Sequence, residues 1–478
     1  MSDAAGTGKS TIAHTVAQRC RVAGFPVACF CFDRSIAGRN VPQKLCTTIA
    51  RDLAGHSKSY ADQIRLILER DRSVACASPS RQFPELIVNP SRSLHFKTAA
   101  LILDALDEGY DDELLKILRN QVPGMSGSFR IFITTRPIDD IDTELSDAPH
   151  VRWISIDIFG SANRTDIAIY AQDRLHRIAS RKRLEQGWPS PELANEFAEK
   201  AEGLFMWIWA VSEYLSSKKT YDAASKFVSF LRNPTLSGLP AEAKMDELYS
   251  QILSNCDWGD ESFADMYRKT IGSIVALKTP LSLSAINKLH RYDATLRFEE
   301  VLRSLNSLFT GLGDSDRPIR MIHVSFRDFV TGRARSTKNY GQFYLDERTN
   351  SGRLALFCLR VLNDDLRDDI PGTGYLSRCK PEVKGIPEIA GEDISEALRY
   401  ACRFWLQHVI DVDNPAPKLL VESLRTFLST RLVIWIEVLI SMGEFQRLSA
   451  LRSWLRVRIS AHNLLRIHIY ALTLCAAG

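Results

Sequence analysis

No stretch of this sequence is long and apolar enough to cross a bilayer as a helix. Its two most hydrophobic segments, GLFMWIWAV at 203–211 and LVIWIEVLI at 432–440, fall well short of the ~20 residues that a span requires, and both read as buried helices. There is no surplus of either charge: 61 basic against 57 acidic residues leave a formal +4, too even to imply a nucleic-acid or membrane surface, so any basic patch has to be local. The ten cysteines are scattered without a C-x-x-C pair, and no histidines stand at zinc-ligand spacing, which points to a reducing, cytoplasmic home. No secretory signal is read at the start, and no repeat of fixed period toward the end. What is present is an ordinary globular composition, 45% hydrophobic and 25% charged over 478 residues, with room for several domains at roughly 100–200 residues each.

The most informative stretch comes first. AGTGKST at 5–11 meets the pattern G-x-x-x-x-G-K-[ST] at Gly8, Lys9 and Ser10, with Asp3 at the first glycine position and only Met1 and Ser2 before it. Such a loop turns consecutive backbone N–H groups toward phosphate oxygens. Gly6 and Gly8 permit that backbone, Lys9 supplies a point charge, and Ser10 supplies a hydroxyl for Mg²⁺. The strand that should lead into the loop is missing, so a truncated or mistaken start is expected, with the Asp3 side chain turned to solvent.

Downstream, STIAHTVAQRCRVAG reads as a helix with Ile12, Val16 and Ala17 at helical spacing, closed by Gly24 and Pro26. VACFCF reads as a buried strand, about 41–70 as one long helical stretch, and KTAALILDAL, FRIFITTRP and VRWISID as three further strands. Alternating strands and helices, with the loop at a strand-to-helix turn, predict a parallel α/β sheet with its site at the strands' carboxyl ends. After about Phe159 the pattern turns helical, and RNPTLSGLP marks a boundary. Beyond it, a helix, a proline break, a second helix and the extended PIRMIHVSFRDFV suggest a winged-helix module, and the end of the chain is mostly amphipathic helix. The expected domains are 1–158 (phosphate-loop α/β), 159–235 (helical), 236–340 (winged helix) and 341–478 (helical), mostly α overall.

In LILDALDEG an apolar strand ends in Asp104, Asp107 and Glu108. Mg²⁺ takes one or two carboxylates along with phosphate oxygens and water, so Asp104 suits the metal, while Asp107 or Glu108 is placed to orient or deprotonate a water. A solvated acidic turn is the plainer alternative. Arg136 in FITTRP adds a cation that can sense a γ-phosphate, or is simply a surface arginine before a proline turn.

These residues resemble the NACHT-type signal-transduction ATPases of the STAND class, in particular fungal nephrocystin-like proteins. The resemblance rests on AGTGKSTIAHTVA, FCFDRSIAGRN, LCTTIARDLA, QFPELIVNP, LILDALDE, RIFITTRP, AEGLFMWIWA and IHVSFRDFV, over roughly Asp3 to Val330. It implies a nucleotide-dependent switch binding ATP or ADP, GTP not being excluded, with Mg²⁺ and slow hydrolysis. In that family pattern Gly6, Gly8, Lys9, Ser10 and Thr11 hold phosphates, Ser10 and Asp104 serve the metal, Asp107 and Glu108 serve hydrolysis, and Arg136 is a sensor. His323 matches a winged-helix histidine that contacts the diphosphate, although a lone histidine among apolar residues is commonly a core residue. Phe205 stands where relatives carry a nucleotide-touching proline, and neither a recruitment domain nor sensor repeats are recognised. Expected partners are a second copy upon activation and an unknown protein effector, with no nucleic acid and no membrane span. The rival reading is a non-catalytic helical scaffold. A DNA-binding winged helix is disfavoured because LSLSAINKLH ends in only Lys288, His290 and Arg291.

Overall fold

Three of the four apolar runs form the expected sheet. In the computed structural model, which describes residues 1–92, 98–125, 127–158, 160–217, 222–232, 239–336, 339–367, 369–376, 387, 389–413, 416–444, 446 and 448–458, β1 (Val27–Cys31), β2 (Ala99–Asp104) and β3 (Phe129–Ile133) pair in parallel in the order β1-β2-β3. Val27 lies opposite Ala100, and Ala99 opposite Phe129. All of β2 is buried, as a central strand covered on both faces requires. Successive side chains alternate between the faces. Val27, Ala100 and Ile102 pack with Ala13 and Ala17 of α1 (Lys9–Val22), whose half-buried Val16 joins them. Ala28, Phe30, Leu101 and Leu103 face the other way, onto Ile49 and Leu53 of α2 (Leu45–His56) and Leu114 and Ile117 of α3 (Asp112–Asn120).

The long helix expected over 41–70 is two helices. Ser57 takes an extended backbone and accepts a hydrogen bond from Tyr60 N, starting a new helix, Lys58–Arg70, after the first has ended at His56. The fourth strand, VRWISID, does not form. The neighbour available to it is Met1–Asp3: Ser2 N donates to Ile154 O (3.1 Å), Ile156 N to the Asp3 carboxylate (3.1 Å), and a ladder needs a longer partner than that.

On their other side, residues 1–3 continue the sheet past β3. The Met1 ammonium donates to Ile133 O (2.7 Å), Thr135 N to Met1 O (3.0 Å) and Asp3 N to Thr135 O (3.3 Å), with Ser2 and Thr135 in a parallel bridge. A short stub thus lies between β3 and the 151–156 segment. Beside it runs an apolar slot of about 530 Å³, bordered by Met1, Ile131, Ile133, Ile141, Leu145 and Trp153.

The chain divides into two compact units, Met1–Gln251 and Ile252–Gly478. The rest of the first unit is helical: α4 (Ser161–Lys182), α5 (Pro191–Lys200) and α6 (Phe205–Ser216) enclose Phe197 and Trp207, whose rings lie 5.3 Å apart. The second unit contains α7 (Glu261–Ala276), α8 (Leu283–Leu289) and α9 (Phe298–Ser304), followed by a short antiparallel pair, β4 (Phe309–Thr310) and β5 (Arg320–Met321). Its later helices include α10 (Glu347–Asp365) and α11 (Glu396–Ile410). The domain boundaries expected at Phe159 and within 233–238 lie outside the described residues, as do Cys379 and Cys475. The eight described cysteines are all free thiols.

One polar network stands in the core of the second unit. Lys278 N donates to Tyr400 OH (3.0 Å), Tyr400 OH to His408 Nε2 (2.6 Å), His408 Nδ1 to Ser351 Oγ (2.8 Å), and Ser351 Oγ to Asp411 (2.7 Å), which also accepts from Lys278 Nζ (2.7 Å). Every link has one donor and one acceptor when His408 is neutral, and burial holds its pKa far below the usual histidine range. Because Ser351 gives its proton to Asp411 and not to His408, the trio is not arranged as a hydrolytic nucleophile.

Candidate functional site

The site is built where the chain passes from the stub into α1. Gly6 (φ +83°) and Gly8 (φ +93°) take left-handed backbone, and a Cβ on Gly6 would stand 2.8 Å from Met206 Cβ, so side chains are excluded there by strain and by space. Gly8 caps α1, which has no side-chain cap and no acidic residue in its first turn. The positive end of a 14-residue helix is therefore uncapped by any side chain of its own. Lys9, Ser10 and Thr11 form that first turn. The Lys9 ammonium donates to Asp3 O (2.7 Å) and Ala4 O (2.6 Å), and burial lowers its pKa while the carboxylates of Asp107, Asp3 and Asp104 oppose that shift. Asp3 is not turned to solvent as the sequence suggested. One carboxylate oxygen caps Ala4 N (2.7 Å) and the other accepts from Ile156 N, so this side chain ties the loop to the neighbouring segment.

The N-terminus of α6 covers the loop from the helical side. Met206 N donates to Gly6 O (3.3 Å), and the Phe205 ring comes within 3.8 Å of where a Gly8 Cβ would be. Phe205 also packs on Tyr170 of α4, with ring centres 5.6 Å apart.

The acidic cluster lies at the end of β2 and just past it. Asp104 is 5% exposed, and its Oδ1 accepts from Thr134 Oγ1 (2.5 Å), which in turn accepts from Ala105 N (2.9 Å). Asp107, 4% exposed, is paired with Arg136: one oxygen accepts from the guanidinium Nε (2.6 Å), the other from the Arg136 backbone N–H (2.9 Å). The two residues proposed for separate tasks thus hold each other. Glu108 differs from both. It accepts a hydrogen bond from Arg34 N (3.2 Å), and burial, with smaller contributions from the Asp107 and Asp33 charges, pushes its pKa up to about 7. Arg34 also donates to Asp107 O (3.0 Å), a link unforeseen from sequence although Arg34 lies in the FCFDRSIAGRN stretch.

The raised Glu108 pKa gives a pH dependence. Between its ordinary value of 4.5 and about 7 the folded chain keeps a proton that the unfolded chain has released, so this group's contribution to stability falls as pH rises through that window. Glu108→Gln is expected to remove the slope, gaining on the order of 1–2 kcal/mol relative to the parent at pH 8 against pH 4.5. Urea midpoints of both proteins at the two pH values test it; parallel shifts in parent and variant contradict it.

His323 belongs to the second unit, where it caps the helix Val324–Asp328: its Nδ1 accepts from Ser325 N (3.1 Å) and pairs with Ser325 Oγ (2.7 Å). Of the three residues weighed for DNA, His290 is buried, with its pKa lowered to about 4, and Arg291 is bound to Asp365 (2.7 Å) and Tyr292 (2.7 Å). No helix among the described residues is long and apolar enough to cross a membrane.

No curated protein matches the chain. A family model does: that described as nephrocystin 3, N-terminal, matches residues 2–136, from the segment before the Gly6–Ser10 loop to Arg136. Residues 2–136, which hold the loop, the parallel sheet and the acidic cluster, are thus similar to the nephrocystin 3 N-terminal domain.

Proposed function

We propose that the first unit binds the phosphates of ATP or ADP with Mg²⁺ and acts as a slowly hydrolysing nucleotide switch. The observation that carries this reading is the start of α1: a helix N-terminus without a side-chain cap, approached through two left-handed glycines, with Lys9 beside it. The donors suit the group. Backbone N–H groups and Lys9 match phosphate oxygens, and the Ser10 hydroxyl with the buried Asp104 carboxylate offers the hard oxygen ligands Mg²⁺ takes. Bound Mg²⁺ would neutralise charge on the phosphates. Glu108, half-ionised near neutrality, is the group fitted to take a proton from an attacking water, while Asp107 holds Arg136 toward the site. An arginine neutralised by a buried carboxylate is poorly placed to stabilise developing charge, which favours slow turnover.

In the same reading α7, α8, α9 and the β4–β5 pair form a winged-helix module, with domain limits as anticipated near 158, 235 and 340, and the output is self-association or effector binding. The proposal for nucleotide rests on the first unit alone. Calorimetric titration of the full chain with MgADP and with a non-hydrolysable MgATP analogue tests it, with micromolar binding of at least one expected. A second reading, a scaffold that does not bind nucleotide, draws on the bonds from Lys9 to Asp3 O and Ala4 O, which a phosphate must displace. Absence of binding to both ligands would establish it in place of the switch.

A further inference from the structure

Three metal-ligating side chains, distant in sequence, meet on one face of the sheet. Val27, Cys29 and Cys31 alternate along β1 with Ala28 and Phe30, and Cys31 is the register partner of Asp104. Asp104 falls on the same face of β2 as Ala100 and Ile102, the face α1 covers with Ala13 and Ala17. His14 is next to Ala13 on that helix and is exposed. One ligand atom from each of His14, Cys31 and Asp104 lies within 4.8 Å of the other two.

We propose that His14, Cys31 and Asp104 form a site for a thiophilic divalent cation, Zn²⁺ being the cation whose chemistry they match. Imidazole, thiolate and carboxylate are each zinc ligands, and three of them leave the fourth tetrahedral position to water. Bond lengths of roughly 2.0–2.3 Å put tetrahedral ligand atoms about 3.3–3.7 Å apart. The ligand atoms, within 4.8 Å of one another, therefore have about 1 Å to close on binding, and the exposed His14 side chain is free to turn. Asp104 is already fixed: the Thr134 hydroxyl holds its Oδ1, as a partner outside the ligand set commonly does for a ligating carboxylate. On binding, the thiol proton leaves to solvent and the sulfur coordinates as thiolate, so affinity rises with pH. Mg²⁺, which requires oxygen ligands in octahedral array, is excluded from this set of donors. Asp104 is also the carboxylate assigned above to nucleotide-bound Mg²⁺, so Zn²⁺ on the trio competes for it. The site itself does not depend on the nucleotide reading.

Co²⁺ titration of the full chain, without nucleotide and under a non-thiol reductant, reads the site directly. The expected result is a thiolate-to-cobalt charge-transfer band with tetrahedral ligand-field absorption at one equivalent, displaced by Zn²⁺. His14→Ala, at an exposed helix position, should weaken the band's apparent affinity at least tenfold, and Cys31→Ser should abolish it, both variants melting within a few degrees of the parent. Absence of the band, or a band that survives both substitutions, overturns the proposal, the latter placing the metal on other cysteines. Since nucleotide titration is a separate measurement, failure of one does not entail failure of the other.

Discussion

Lys9→Ala is expected to weaken nucleotide binding roughly ten- to hundredfold. The lost interaction is a charge-assisted one to phosphate, worth about 1.5–3 kcal/mol, or roughly a ten- to hundredfold rise in Kd. The side chain also anchors the loop itself through Asp3 O and Ala4 O, so its removal loosens the backbone as well as the charge. Lys9→Arg separates the two effects: it keeps the cation but not the compact ammonium that fits between two carbonyls, and should recover little affinity. Calorimetry on the parent and both variants measures this. Equal affinity in Lys9→Ala and the parent would show that the loop is not where phosphates bind.

The second large effect is on stability. Asp107→Ala removes the carboxylate from a pair in which Asp107 is 3% and Arg136 12% exposed at the side chain. Breaking a buried pair by deleting one partner costs about 3–5 kcal/mol, because a desolvated charge loses its compensation. The substitution also deprives the Arg136 backbone N–H of its acceptor. Replacing both residues by apolar side chains of similar volume should recover much of the loss. Urea unfolding of the single and double variants tests the point. A loss below about 1 kcal/mol in Asp107→Ala would mean that the pair is a surface contact in effect, and would return Asp107 to the list of groups able to act on water.

What the sequence made legible follows from what each signal physically contains. The strands β1, β2 and β3 were readable because a parallel strand covered on both faces must be continuously apolar, and VACFC, AALILD and FRIFI are close to that. VRWISID carries a similar signal but forms no ladder, since apolar character says nothing about whether a long enough neighbour exists. The break at Ser57 is marked in the chain by a single capping residue, while the apolar positions on either side continue. The positions of Gly6, Gly8, Lys9 and the three carboxylates along the chain were plain, yet their pairings were not. Asp107 meets Arg136 across 29 residues, and Asp3 reaches Ile156 across 153. Those contacts are set by the stacking of sheet and loop, which local spacing cannot express. His14, Cys31 and Asp104 show no zinc-ligand spacing along the chain for the same reason: each comes from a different element.

The hydrogen bond from Met1 N to Ile133 O has a practical consequence at the bench. A leader peptide joined to Met1 does not simply trail in solvent. It starts at the sheet edge, beside an apolar slot only a few residues from the loop. An apolar leader finds Ile131 and Ile133 beside it there, whereas a hydrophilic one is better served by solvent. Affinities measured before and after cleavage of such a leader should therefore differ, and the identity of the tag becomes a variable of the assay.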